Sequence, residues 1–150
     1  MGRTTETLVL DASVAAKWHL QDEESAADAL AILTRYVNGE LRLVAPDHVR
    51  YEIASSLTVA TLGERPRLSR SVAERALDYF LQLGIETIGT DQLIRAAFQL
   101  VHRHGIAFYD ALYLALADDL GVPLITADRR FYQRVRALPH VLWLGSYLAS

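Results

Sequence analysis

The chain has no cysteine among its 150 residues. That excludes disulfide staples, thiolate metal sites and cysteine nucleophiles, and nothing points to secretion. Lys17 is its single lysine, so fourteen of its fifteen basic residues are arginine. Positive charge is not in excess: the formal net charge is −3, without the basic footprint of a non-specific nucleic-acid binder. The histidines His19, His48, His102, His104 and His140 are scattered without ligand spacing and receive no role. Long apolar runs are also missing. No stretch approaches the ~20 residues of a membrane span, and the apolar run Leu8-Val9-Leu10 is too short for a signal peptide. Glu6 stands where a myristoylation motif needs Ser or Thr. The expectation is a cytoplasmic protein with no membrane partner.

What is present is a globular composition, 51% hydrophobic and 22% charged, at a length that suits one domain over residues 1–150. Residues 7–10 form an apolar strand ended by Asp11, and Ser13 begins a helical stretch through Trp18. Glu23 and Glu24 mark the start of the next helix, which Asn38-Gly39 closes. Residues 41–45 are the second strand, and Pro46-Asp47 opens a helix that runs through Glu52 to Gly63. After a break at 63–66, Ser71 with Glu74 matches a capping box. The helix it starts carries Val72, Ala76, Tyr79, Phe80 and Leu83 on its apolar face. Residues 85–88 alternate like an edge strand, and Thr90 or Asp91 caps a helix bearing Leu93, Ala97 and Leu100.

The organising stretch is 105–128, GIAFYDALYLALADDLGVPLITAD. Its helix is so apolar that most of its sides must be buried, yet Asp110 lies in its opening turn. Gly121 stops it, a short buried strand ends at Thr126, and Asp128 follows. An arginine-rich helix with Phe131, Val135 and Leu138 and a last strand at 141–144 complete the chain. Strands alternating with helices predict an α/β fold with a mostly parallel sheet sandwiched by helices.

In a parallel sheet all strand ends share one edge, and helices that follow strands begin there. Asp11, Glu52, Asp110 and Asp128 are therefore expected to meet at that edge. Two carboxylates ~5 Å apart repel by roughly 3 kcal/mol at an effective dielectric near 20, so such a group must take up protons or hold a cation. Oxygen ligands without imidazole or thiolate favour Mg²⁺ or Mn²⁺, and the expected chemistry is phosphodiester hydrolysis. Each acid also has a plainer reading: Asp11 as a strand-end cap, Glu52 as a solvated helix residue, Asp110 complementing a helix dipole, Asp128 capping the arginine-rich helix. Asp118 and Asp119 fall at the opposite edge. Asp22, Asp28, Glu74 and Asp78 read as surface residues.

The segments LVLDASV, APDHVRYEIASSL and YDALYLALADDLGVPLITADRRF, taken in order, resemble the PIN-domain nuclease family, and within it the VapC-type toxins. The resemblance implies a three-layer α/β/α domain whose five-stranded parallel sheet has the order 3-2-1-4-5. It implies an Mg²⁺- or Mn²⁺-dependent endoribonuclease, an RNA substrate, a cognate antitoxin that neutralises it, and a homodimer. Carried over, Asp11 and Asp110 are the first metal ligands, Glu52 completes the site directly or through water, and Asp128 holds a second metal or a metal-bound water. Ser13 and Thr126 match small hydroxyl positions that support the carboxylates. They are not expected to be nucleophiles, since no motif places a histidine beside them.

Arg129 or Arg130 is expected to contact the RNA backbone, or an antitoxin group that blocks it. Trp18, Tyr51 and Tyr79 are expected in the core or a dimer interface rather than stacked on bases. A haloacid-dehalogenase-type phosphatase is excluded because Ser13 stands where its second Asp is required. A receiver domain is excluded because there is no late lysine. Two alternatives stay open: a non-toxin PIN-domain nuclease of RNA processing, and a non-catalytic binding module whose acids only hold the fold.

Overall fold

The computed structural model describes residues 4–149. In chain order they form β1 (Glu6–Leu10), α1 (Ala12–Ala16), α2 (Ala26–Val37), β2 (Leu41–Pro46), α3 (Val49–Ala60) and α4 (Arg70–Gln82). There follow β3 (Glu86–Ile88), a 3-10 turn (Asp91–Leu93), α5 (Ile94–His104), α6 (Phe108–Leu120), β4 (Leu124–Thr126), α7 (Arg129–Val135) and β5 (Val141–Trp143). Among the described residues no helix is long and apolar enough to cross a membrane.

The five strands form one all-parallel sheet in the order β3-β2-β1-β4-β5. β1 is central because Leu8, Val9 and Leu10 are apolar on both faces and wholly buried, as an interior parallel strand requires. Val9 pairs with Val44 of β2 on one side and with Leu124 of β4 on the other. The chain thus leaves β1 toward β2 and later returns to β1's other edge. With right-handed crossovers, α1–α4 then cover one face of the sheet and α5–α7 the other. The order reverses between β1 and β4, which makes the carboxyl ends of those two strands the place where such sheets bind ligands.

α6 is the core helix: its residues from Ala111 to Ala117 are buried without interruption. α5 and α6 each end on a glycine, Gly105 and Gly121, at φ near +65°. That left-handed conformation strains any residue with a Cβ, so the turns that set both helix ends depend on glycine. Trp18 fills the core between α2 and α4. Its indole N–H donates to the Ala29 carbonyl at 2.8 Å, and its ring lies 6.4 Å from that of Phe80.

Several local expectations are corrected. α2 starts at Ala26, not at Glu23 and Glu24. Glu23 is held by Lys17 (3.0 Å) and Arg67 (2.8 Å), and Ser25 turns the chain through a left-handed conformation before the helix can begin. Pro46 belongs to β2, and α3 opens three residues later. The cap of α4 is Ser69, whose hydroxyl accepts from the Val72 N–H at 3.3 Å; Ser71 is already helical and Glu74 pairs with Arg70 instead. The buried face of α4 is accordingly Ala73, Ala76 and Phe80, while Val72 and Tyr79 are exposed. Trp18 is in the core as expected; Tyr51, 78% exposed, is outside it, where the expected alternative is a dimer interface.

The cap assignment has a direct test. In urea titrations, Ser69→Ala should cost about 1 kcal/mol of unfolding free energy and Ser71→Ala close to nothing. Equal effects would return the cap to Ser71.

Candidate active site

The expected convergence is present. Asp11, Glu52, Asp110 and Asp128 line one cavity of about 250 Å³, together with Ser13, Ser55 and Ser56. A larger surface cavity, about 540 Å³, lies elsewhere, by Trp18, Leu33 and Tyr79, and its lining has no carboxylate.

Asp11 follows β1 directly and is 3% exposed. It stands at the N-cap of α1, yet its side chain does not cap. Instead Oδ2 accepts hydrogen bonds from the hydroxyls of Ser13 (2.7 Å) and Thr126 (2.6 Å). Those hydroxyls in turn accept the N–H groups of Ala127 (3.0 Å) and Asp128 (3.1 Å). The network lashes the end of β1 to the end of β4 at the switch point. It also uses both hydroxyl protons on Asp11, which leaves Ser13 and Thr126 as supports and agrees with their not being nucleophiles.

Glu52 is in the first turn of α3, where a carboxylate complements the helix dipole. Its Oε1 lies 2.9 Å from Nε2 of His48, one turn earlier. The contact is short but poorly aligned. Both atoms, with His48 Nδ1 and the Tyr113 hydroxyl, are therefore buried without a well-formed hydrogen bond. The His48 ring is flanked by Tyr109 and Tyr113 of α6, at 5.2 and 4.8 Å between centroids. Spacing among the five histidines does not reveal His48. The usable signal was the i,i+4 spacing of His48 and Glu52, which places both on one helix face.

Asp110 is half-buried in the first turn of α6, and among the described residues its carboxylate makes no hydrogen bond or ion pair. Asp128 caps α7, its Oδ1 accepting from the Phe131 N–H at 3.0 Å. The plainer reading of Asp128 is thus true of one oxygen, and the residue still lines the cavity. Among the described residues no arginine or lysine pairs with any of the four acids; the ion-pair partner of Glu52 is His48.

Crowding without cations has the expected electrostatic result. Burial pushes the Asp11 carboxyl up to about 6, against the pull of the Thr126 and Ser13 hydroxyls, with Glu52 and Asp128 adding repulsion. Burial, then Asp11, Asp128 and Glu52, push Asp110 up to about 7, and His48 partly counters them. Burial also raises the Tyr113 hydroxyl, which stays protonated. The acids line the cavity walls without closing on a centre: among the described residues no three His, Cys, Asp or Glu side chains form a ready-made metal cage.

The arginines divide. Arg129 pairs with Glu24 at 3.4 Å and lies 5.7 Å over the Trp143 ring. Arg130 and Arg134 line a neighbouring cavity that shares Asp110 and Asp128 with the acidic one.

Comparison with known proteins agrees with this architecture. Residues 8–137 match the PIN domain family. Ribonuclease VapC3 of Pyrobaculum aerophilum is 31% identical over 133 residues, spanning 87% of this chain and 96% of that protein. Ribonuclease VapC12 of Mycobacterium tuberculosis is 34% identical over 126 residues, 84% of this chain and 90% of that protein. Among solved structures, PAE2754 from Pyrobaculum aerophilum superposes with a TM-score of 0.63 at 22% identity, covering 97% of this chain and 88% of that one. VapBC2 from Rickettsia felis, bound to a DNA fragment from its promoter, superposes at 0.60 and 14% identity, covering 91% of this chain and 96% of that one. At those identities the two structures speak for the fold alone. The sequence match over most of the chain, on a sheet of order 3-2-1-4-5, establishes that the chain belongs to the PIN domain family.

Proposed function

We propose that the protein is a divalent-cation-dependent endoribonuclease, the toxin component of a toxin–antitoxin pair. One observation carries the reading: four carboxylates from four separate segments share one cavity, and among the described residues the only basic side chain paired with any of them is His48. Asp11, Glu52 and Asp128 each have one oxygen engaged by the fold, which leaves the other available. Asp110 has both. This all-oxygen donor set fits Mg²⁺ or Mn²⁺, with Asp11, Glu52, Asp110 and Asp128 as the residues that would hold it. A bound cation supplies charge for a phosphate oxygen and a water of lowered pKa, and stabilises the leaving oxygen. The chain's own part is positional. Ser13 and Thr126 fix Asp11, and His48 and Tyr113 wall in Glu52 and keep bulk water from its buried oxygen.

Homology to proteins named ribonuclease VapC supports RNA as substrate and an antitoxin as partner. A homodimer in the cytoplasm belongs to the same proposal. Val59, Leu62, Ile94 and Phe98 are exposed apolar side chains that a second chain would cover.

Purified protein should cleave single-stranded RNA with Mg²⁺ or Mn²⁺, and Asp11→Asn or Asp110→Asn should lose about a hundredfold or more in rate. A binding module would tolerate both substitutions, so cleavage unchanged in Asp110→Asn overturns the reading.

Thermal melts test the electrostatics. Folded-state pKa values of about 6 and 7 lie above the ordinary 3.8, so the folded state binds protons more tightly than the unfolded. The resulting stability is present at low pH and lost as pH rises from about 4 through 7. Metal-free wild type should melt lower at pH 8 than at pH 5, Asp110→Asn should flatten that fall, and Mn²⁺ should raise Tm more at pH 8. A Tm that rises with pH would contradict the arrangement.

His48→Leu should weaken Mn²⁺ binding by about tenfold, and His48→Gln, which keeps a donor, by less. Equal affinities by calorimetry would reduce His48 to packing.

A further inference from the structure

We propose that the cavity beside the acids is a phosphate subsite, taking the RNA backbone phosphate next to the one that is cleaved. The inference rests on the nuclease reading and extends it to how the substrate strand is laid down. The cavity measures about 460 Å³ and lies between the connection from α5 to α6 and the first turns of α7. Asp110 and Asp128 are walls common to this cavity and the acidic one, so a strand whose scissile phosphate sits at the acids must pass its next phosphate close by.

Arg130 and Arg134 are its basic lining. They stand four residues apart on α7, hence on one helix face. Both are exposed, and among the described residues neither forms an ion pair or a hydrogen bond. Arg35, Arg42, Arg67, Arg70 and Arg129 are each bound to a carboxylate; of the arginines that are not, Arg130 and Arg134 are the two that line this cavity. Arg134 is also placed: its Nη1 is 3.7 Å from the point where a Cβ on Gly105 would be, so the guanidinium rests on bare backbone across the cavity from its own helix. Gly105 carries φ +65° there, closing α5. Between the arginines and the acids, Ile106 and Phe131 give a buried apolar floor on which a ribose or base edge can rest.

The chemistry favours a polymer phosphate over a free anion. Two planar guanidinium forks match phosphate oxygens bidentately. Two carboxylates in the same cavity oppose any small anion arriving alone. A phosphate tethered to a neighbour already held at the acids meets that repulsion with its position fixed, so the arginines act on it at high effective concentration. A carboxylate from a partner protein matches the same forks, and the test separates the two.

Binding is read on full-length Asp11→Asn, which does not cut, with a labelled mixed-sequence single-stranded RNA oligonucleotide in Mg²⁺ across a series of salt concentrations. Adding Arg130→Ala or Arg134→Ala should weaken binding about tenfold at low salt and lower the salt slope by about 0.7 for the lost phosphate contact. Arg136→Ala, just past the end of α7 and outside the cavity, should change neither. In the cleaving background, the cavity variants should raise KM more than they lower kcat. If the Arg130→Ala, Arg134→Ala double variant keeps its fold, RNA affinity and salt slope, the subsite is wrong while the nuclease reading stands. Loss of a partner protein's binding with RNA binding intact would overturn it in favour of a carboxylate ligand. Failure of the wild type to cleave RNA with either cation would overturn the nuclease reading itself.

Discussion

The structure depends on a repulsion that the fold enforces. A parallel sheet has one carboxyl edge, and everything that ends a strand or begins a following helix must gather there. Asp11 cannot leave: it is buried at the end of the central strand, with the hydroxyls of Ser13 and Thr126 on one oxygen. Asp110 cannot leave either, because the helix behind it is buried for seven consecutive residues. Two carboxyls raised to about 6 and about 7 are the visible cost of that geometry. A protein that only needed a stable core would have no reason to keep them.

The supports around the acids follow one rule. Asp11, Glu52 and Asp128 each have one oxygen set against something rigid: a pair of hydroxyls, the imidazole of His48, the Phe131 N–H of α7. One oxygen of each serves the fold, and each of the three residues lines the cavity. This resolves the choice between capping and function at Asp128, since capping is what aims the remaining oxygen. The same contacts keep the Ser13 and Thr126 hydroxyls engaged on Asp11 rather than free to act as nucleophiles.

Much of this was legible in the sequence because it depends on spacing alone. The apolar run after Asp110 announced a buried helix, the position of each acid relative to a strand end announced a shared edge, and the edge placement of β3 showed in its alternation. The strand order came from family resemblance rather than from pattern. What stayed hidden depended on long-range side-chain geometry. Ser71 with Glu74 reads as a capping box, yet Ser69 caps the helix and Glu74 goes to Arg70. Glu23 reads as a helix start until Lys17 and Arg67 take hold of it. Arg129 and Arg130 are neighbours of the same type, yet Glu24 and Trp143 claim the first and the cavity the second. His48 was silent because its partner is an acid rather than another histidine.

The most direct test of the account is the proton count on cation binding. Mn²⁺ titrated calorimetrically into the metal-free protein, in buffers of different ionisation enthalpy, reads how many protons the site gives up. Carboxyls at about 6 and about 7 should release protons near pH 6.5, and the release should vanish by pH 8.5 and in the Asp11→Asn, Asp110→Asn double variant. Mn²⁺ binding without proton release at pH 6.5, or with the same release in that double variant, would contradict it.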